Sequence, residues 1–323
     1  MSDNKRTLKV LEEIGFKADS NETFSLERSL SAVQAVPYDT VFNMNRGMEL
    51  VPINASIQLP EGAADYKYNI MNPAGEAKFI ANGALDFPDA DAYLEEETVK
   101  ILDFGQSYFF THQDLQRAQM NGFQLDSARA RVAAMAMNNK KDSILAIGDV
   151  NRGVYGLANN PNVSISQAAA AAGGGFAPAW DAADKTSAEI LTDMLNLIKN
   201  TNGDRDIGMW EVDTLVLPPS HFEIVASRFL SVDNTETVLS AFRRIRPEVN
   251  VVKWSRLADA SATGGQRAIA YKKDPAVLEA FMPVSLDQRG PQERALNFHV
   301  YLFARLSGVA IRYPFAVRYL DAI

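Results

Sequence analysis

Six carboxylates crowd into one short stretch of this chain: Asp86, Asp89, Asp91, Glu95, Glu96 and Glu97. Oxygen ligands at that density suit a hard cation such as calcium. Their spacing does not match the calcium-loop pattern, so a solvated acidic stretch is the simpler reading. The three histidines, His112, His221 and His299, lie far apart, and none sits in an HxxxH or HxxE pattern. Each reads as a surface or structural residue. Asp213 stands before an apolar run and could pass for a catalytic carboxylate, but a turn role accounts for it. Gly173-Gly174-Gly175 follows an alanine run and opens no helix, which argues against a phosphate cradle. There is no GxSxG elbow and no GxxxxGK[ST] loop. The absence of cysteine excludes disulfides, thiolate zinc sites and thiol catalysis. The sequence thus nominates no catalytic, cofactor-binding or metal-ligating residue.

The elements that would carry these residues are more informative. The chain has 323 residues, 47% hydrophobic and 22% charged, which is a globular composition. Its net charge of −8 argues against gripping nucleic acid as a main task, because phosphate contacts need a basic surface. No apolar run reaches the roughly 18 residues of a membrane span, and the start carries no apolar signal core. Residues 1–60 hold two short amphipathic stretches, Leu8/Leu11/Ile14 and Leu26/Leu30/Val33. They are too sparse for a core, so the segment is either a loose terminus or an arm that folds on another surface. Tyr66, Tyr68 and Ile70 alternate with polar residues as in a half-exposed strand. Asn72-Pro73-Ala74-Gly75 reads as a turn, the acidic stretch from Gly83 to Glu97 as a loop, and Thr98–Phe110 as a returning strand. Together they predict an extended hairpin with little core beneath it.

Asp126 to Gly148 reads as one long alanine-rich helix, capped by Asp126 and stopped by Gly148, with Val132, Met135, Ile144 and Ile147 as its larger contacts. An Ala/Gly run covers residues 168–175. Thr186 and Glu189 form a capping-box signature before a helix that buries Ile190, Leu191, Met194, Leu195 and Ile198. Strands are expected at Thr214–Leu217, Val249–Trp254 and Arg267–Lys272, and helices at Ser220–Phe229 and Thr237–Arg246. Phe298–Tyr319 is strand-rich with both faces partly covered.

Four stretches, GVYGLANNPNV (153–163), DTLVLPPSHFEIV (213–225), AYKKDPAVLEAFMP (270–283) and GVAIRYPFAVRYLDAI (308–323), resemble a family of phage major capsid proteins. The resemblance runs from about Glu49 to Ile323, and the order of elements resembles the HK97-type capsid fold, an α+β architecture. It implies an N-arm over 1–60 and an E-loop hairpin with the start of the peripheral domain over 61–111. The spine helix of that domain would fall in 112–149 and an α/β axial domain in 150–275, with peripheral-domain strands over 276–323. It further implies pentamers and hexamers in an icosahedral virion shell around double-stranded DNA, assembled in the bacterial cytoplasm. A portal protein and a separate scaffolding or decoration protein would be partners; no cofactor and no membrane would be. The acidic hairpin would then lie on a neighbouring subunit, on Arg129, Arg131, Lys140 and Lys141 of the spine helix or on Arg243, Arg244 and Arg246.

Two other readings compete. An encapsulin-type nanocompartment shares the fold but carries a short N-terminal helix where this chain has about 60 residues of arm. A cytosolic α/β enzyme would need a concave site with convergent polar groups, and the sequence offers none.

Overall fold

The computed structural model describes residues 45–54, 59–74, 91–111, 113, 125–170, 179–182, 184–203, 211–231, 234–261, 264–294 and 297–323. All fall within one unit, Asn43–Ile323. Most of the expected arm, Asp86, Asp89, His112 and residues 171–178 lie outside the described residues.

The described chain enters through a short helix, α1 (Gly47–Leu50), and continues into β1 (Asp65–Ala74) and β2 (Asp91–Thr111). At about 3.3 Å per residue, the 21 residues of β2 extend about 70 Å. The strand has two halves. Asp91–Lys100 pairs with β1, and Ile101–Thr111 pairs with β14 (Asn297–Ser307). The first half is therefore a two-stranded ribbon. The turn expected at Asn72-Pro73-Ala74 is strand instead, paired with Tyr93, Ala92 and Asp91, and the acidic stretch from Asp91 to Glu97 is strand rather than loop. Pro73 is compatible because β1 is an edge strand.

Helix α2 (Leu125–Ala146) has 22 residues, about 33 Å of rise. Asp126 lies inside it rather than at its cap. The expected stop holds: Gly148 takes φ +74°, which suits glycine. Ala133 and Met137 pack on Leu302, Ala304, Phe104 and Tyr108 of the β2/β14 sheet. Val132, expected as a contact, is instead 59% exposed, because one residue's step along a helix turns it about 100° away from Ala133.

Beyond α2 come β3 (Gly148–Asp149), β4 (Val154–Tyr155) and β5 (Ser164–Gln167), then α3 (Ser187–Gly203), β6 (Thr214–Leu217) and α4 (Pro219–Ser227). Next are β7 (Phe229–Ser231), β8 (Asn234–Thr237), α5 (Val238–Ile245), β9 (Asn250–Lys253) and β10 (Arg267–Tyr271). The capping box forms as the sequence predicts. The Glu189 carboxylate accepts from the Thr186 N–H at 2.7 Å, and Thr186 Oγ1 accepts from the Glu189 N–H at 3.3 Å. Helix α4 ends sooner than expected, because Arg228 is extended and Phe229 begins β7.

The remaining strands are β11 (Leu278–Ala280), β12 (Val284–Gln288), β13 (Gln292–Arg294), β15 (Val309–Ile311) and β16 (Val317–Asp321). They do not return to one place. β12, β13 and β14 join the hairpin sheet, whereas β16 inserts into the α/β sheet, whose order is β5-β16-β10-β6-β9. That sheet is buried on both faces. Leu215, Leu217, Ala268 and Ala270 face a core with Trp180, Ile190, Met194 and Phe242, while Val216, Ile269 and Tyr271 face another with Leu50, Leu145 and Trp254. The period of two along β6 and β10 thus separates two cores.

Candidate assembly surfaces

On the ribbon, opposite residues share a face, so Tyr66, Tyr68 and Ile70 stand with Val99, Glu97 and Glu95. The base of that face is anchored. Tyr66 packs on Phe281 with ring centroids 4.2 Å apart, and the Arg312 guanidinium lies 5.4 Å over the Tyr68 ring. Arg312 is in turn held by the fully buried carboxylate of Glu279. The Tyr68 hydroxyl donates to Glu97 at 3.1 Å, and burial, with the nearby Glu97 charge, pushes its pKa up. On the other face Lys67 meets Glu96 at 2.7 Å. Two of the acidic residues thus have partners inside the ribbon. Glu95 is exposed. Towards the far end, Tyr93 and Leu94 are 64% and 70% exposed.

The helix cations behave differently from one another. Arg129 donates to the Phe109 carbonyl at 2.6 Å, tying α2 to β2. Lys141 is only 7% exposed within one chain, and burial lowers its pKa. Arg131 and Lys140 are exposed and flank Val132 along the helix. In α5, Arg244 grips Glu236 through two hydrogen bonds and Arg246 meets Glu248 at 3.3 Å, while Arg243 is exposed. Within one chain, no hydrogen bond or ion pair among those described joins the ribbon carboxylates to these cations.

The other polar residues are structural. Asp213 pairs with Lys272 at 3.0 Å and accepts from the Lys273 N–H and the Thr214 hydroxyl, each at 2.8 Å. His299 stacks between Phe109 and Tyr301. His221 is buried beside Trp180, with Nδ1 on Gln266, and burial lowers its pKa. Among the described residues no cluster of three or more histidines and carboxylates could hold a metal.

Sequence reasoning missed the buried carboxylates that tie elements together, Asp142 and Asp193 among them. Asp142 of α2 accepts from the Gly47 N–H at 2.7 Å, Trp254 Nε1 at 3.0 Å and Arg256 Nε at 2.8 Å. It thereby fastens α1, the helix and the α/β half together. Asp193 of α3 pairs with Lys185 at 2.8 Å, both side chains almost fully buried, and accepts from Trp180 Nε1 at 3.1 Å. Nothing in their local sequence distinguishes them from surface aspartates.

A long strand crossing from a body sheet into a bare ribbon, a helix laid across that sheet, and an α/β half of two cores form the HK97-type arrangement. The model of the family described as major capsid protein matches residues 75–323. The chain belongs to the major capsid protein family. Solved capsids share the fold of this capsid protein. That of the myovirus phage XM1 superposes with a TM-score of 0.76 at 17% identity, covering 91% of this chain and 97% of that one. The capsid of a native GTA particle gives 0.65 at 13% identity, covering 90% and 95%. A virus-like particle from Pyrococcus furiosus gives 0.54 at 14%, covering 85% and 91%. No curated protein sequence matches significantly. The protein is thus a structural component of a phage-like shell.

Proposed function

We propose that this capsid protein forms pentamers and hexamers that close into an icosahedral shell around double-stranded DNA. Assembly takes place in the host bacterial cytoplasm, with a portal protein and a separate scaffolding or decoration protein. In this reading residues 1–60 are an N-arm, the ribbon is the E-loop, α2 is the spine of the peripheral domain, and the α/β sheet is the core of the axial domain. The acidic net charge suits a wall to which packaged DNA should not adhere.

The observation that carries the reading is the exposure of Tyr93 and Leu94 on a ribbon with no core of its own. Apolar side chains held out in this way gain stability by burial on another surface. That surface is a second copy's α2, where Val132 lies between Arg131 and Lys140. Glu95 supplies the opposite charge. Electron microscopy of the purified recombinant chain tests the assembly: rings or closed shells are expected, and small globular oligomers would overturn it. Shells that protect no DNA in infected cells, and enclose an enzyme instead, would shift the reading to a nanocompartment.

A further inference from the structure

The α/β sheet ends on β5, which pairs with β16 on one side and with no other strand among the described residues. A free strand edge displays unpaired N–H and C=O groups, and proteins usually blunt such edges with charge, proline or bulges. Three other edges here are blunted. β9 ends on Lys253, paired with Glu223; β1 carries Lys67 and Pro73; β12 slips register between Val284 and Asp287. β5 reads Ser-Ile-Ser-Gln, and no charged residue occurs between Arg152 and Asp181. Ile165 is 51% exposed on it.

Beside this edge opens a cleft of about 350 Å³, lined by Ile147, Pro161, Val163 and Ile165 together with Asp259. Its floor is rigid and neutralised: buried Arg267 forks onto Asp321 at 2.6 and 2.7 Å, and the Ser261 hydroxyl donates to the same carboxylate at 3.0 Å. Asp259 has no ion-pair partner among the described residues, so the unbalanced charge in the cleft is negative.

We infer that β5 is an acceptor edge for an extended segment of a separate protein, one that alternates apolar and basic side chains. Its backbone continues the sheet, an apolar side chain enters the cleft beside Ile165, and a lysine or arginine meets Asp259. β9, the opposite edge of the same sheet, cannot serve as that segment in a second copy, because Val251 and Val252 are buried and Lys253 is already paired. The inference requires only the folded subunit and stands apart from the shell geometry proposed above.

The test titrates the full-length protein into a fluorescein-labelled octapeptide of alternating lysine and valine, read by anisotropy. Saturable binding is expected. It should weaken about tenfold when alternate backbone nitrogens of the peptide are methylated, since the hydrogen bonds to the β5 edge are lost. Ile165→Lys should abolish binding, and Asp259→Asn should weaken it by up to about fivefold, as for an exposed ion pair. Equal affinity for the methylated peptide overturns strand addition without requiring any protein variant to fold. Unchanged binding by folded Ile165→Lys, checked by circular dichroism, places the peptide elsewhere and overturns the site. If Ile165→Lys stays folded but no longer forms particles, the edge is filled by a second copy and the separate partner is excluded.

Discussion

The α/β sheet and the β1–β2 ribbon obey the same pairing rules with opposite outcomes. Every residue of β6 and β10 is buried, whereas none of Ala92–Lys100 is, and Tyr68 alone is buried among Asp65–Ile70. The sheet sits between two cores; the ribbon has a defined register and only an anchored base. Pairing fixes shape in both, but two strands alone are marginal in water. Stability in the ribbon must come from a surface outside it, and stability in the sheet is internal.

Removing an internal support should therefore have the largest effect. Asp193→Ala leaves Lys185 buried without its counter-charge and is expected to cost about 3–5 kcal/mol in urea unfolding. A loss below about 1 kcal/mol would show that the sheet half does not depend on its buried network. Tyr93→Ser with Leu94→Ser should do the reverse. Subunit melting stays within about 0.5 kcal/mol of the parent, while the yield of sedimenting shells falls several-fold. Equal shell yield would remove the ribbon's need for an outside surface.

Charge on the ribbon should matter less. Glu95→Lys is the informative change, because Glu96 and Glu97 already engage Lys67 and Tyr68. Exposed contacts contribute about 0–1 kcal/mol each, so shell formation should weaken modestly. The parent's assembly should also become more salt-sensitive than the variant's, as screening shortens from about 10 Å at 0.1 M to about 3 Å at 1 M. Identical salt curves would leave docking entirely to Tyr93 and Leu94. The smallest effect concerns His221 in the sheet half. Burial lowers its pKa, so the unfolded chain takes up the proton more readily. The resulting stability is full above the ordinary value of about 6.5 and is lost as pH falls from there toward the folded-state value. His221→Gln should narrow the difference in melting temperature measured either side of about pH 6.5. An unchanged difference would assign the acid sensitivity to carboxylates.

The α/β elements were legible because local rules agree there: the Thr186/Glu189 box opens a helix whose spacing of Ile190, Met194 and Ile198 marks its buried face. The long hairpin was legible in outline from Tyr66, Tyr68 and Ile70. Its extent was not, because Pro73 and the carboxylates suggest a loop, whereas an exposed edge tolerates both in a strand. Lys141 looked like one more surface cation, since burial of a single helix position depends on how the helix is rotated against its sheet. The place of β16 was hidden for a different reason. Its partners, β5 and β10, lie far back in the chain, and no local pattern encodes a pairing across that distance.

That placement has a consequence for synthesis. Among the described residues β5 has one partner strand, and about 150 residues separate Gln167 from Val317. At translation speeds of 5–20 residues per second, the uncharged edge strand waits roughly 8–30 s for its neighbour to be made. β10 meanwhile lacks β16 as well, so neither core can close before β16 has been made. The same delay leaves the β5 backbone groups unpaired until β16 arrives, and slower elongation lengthens that exposure.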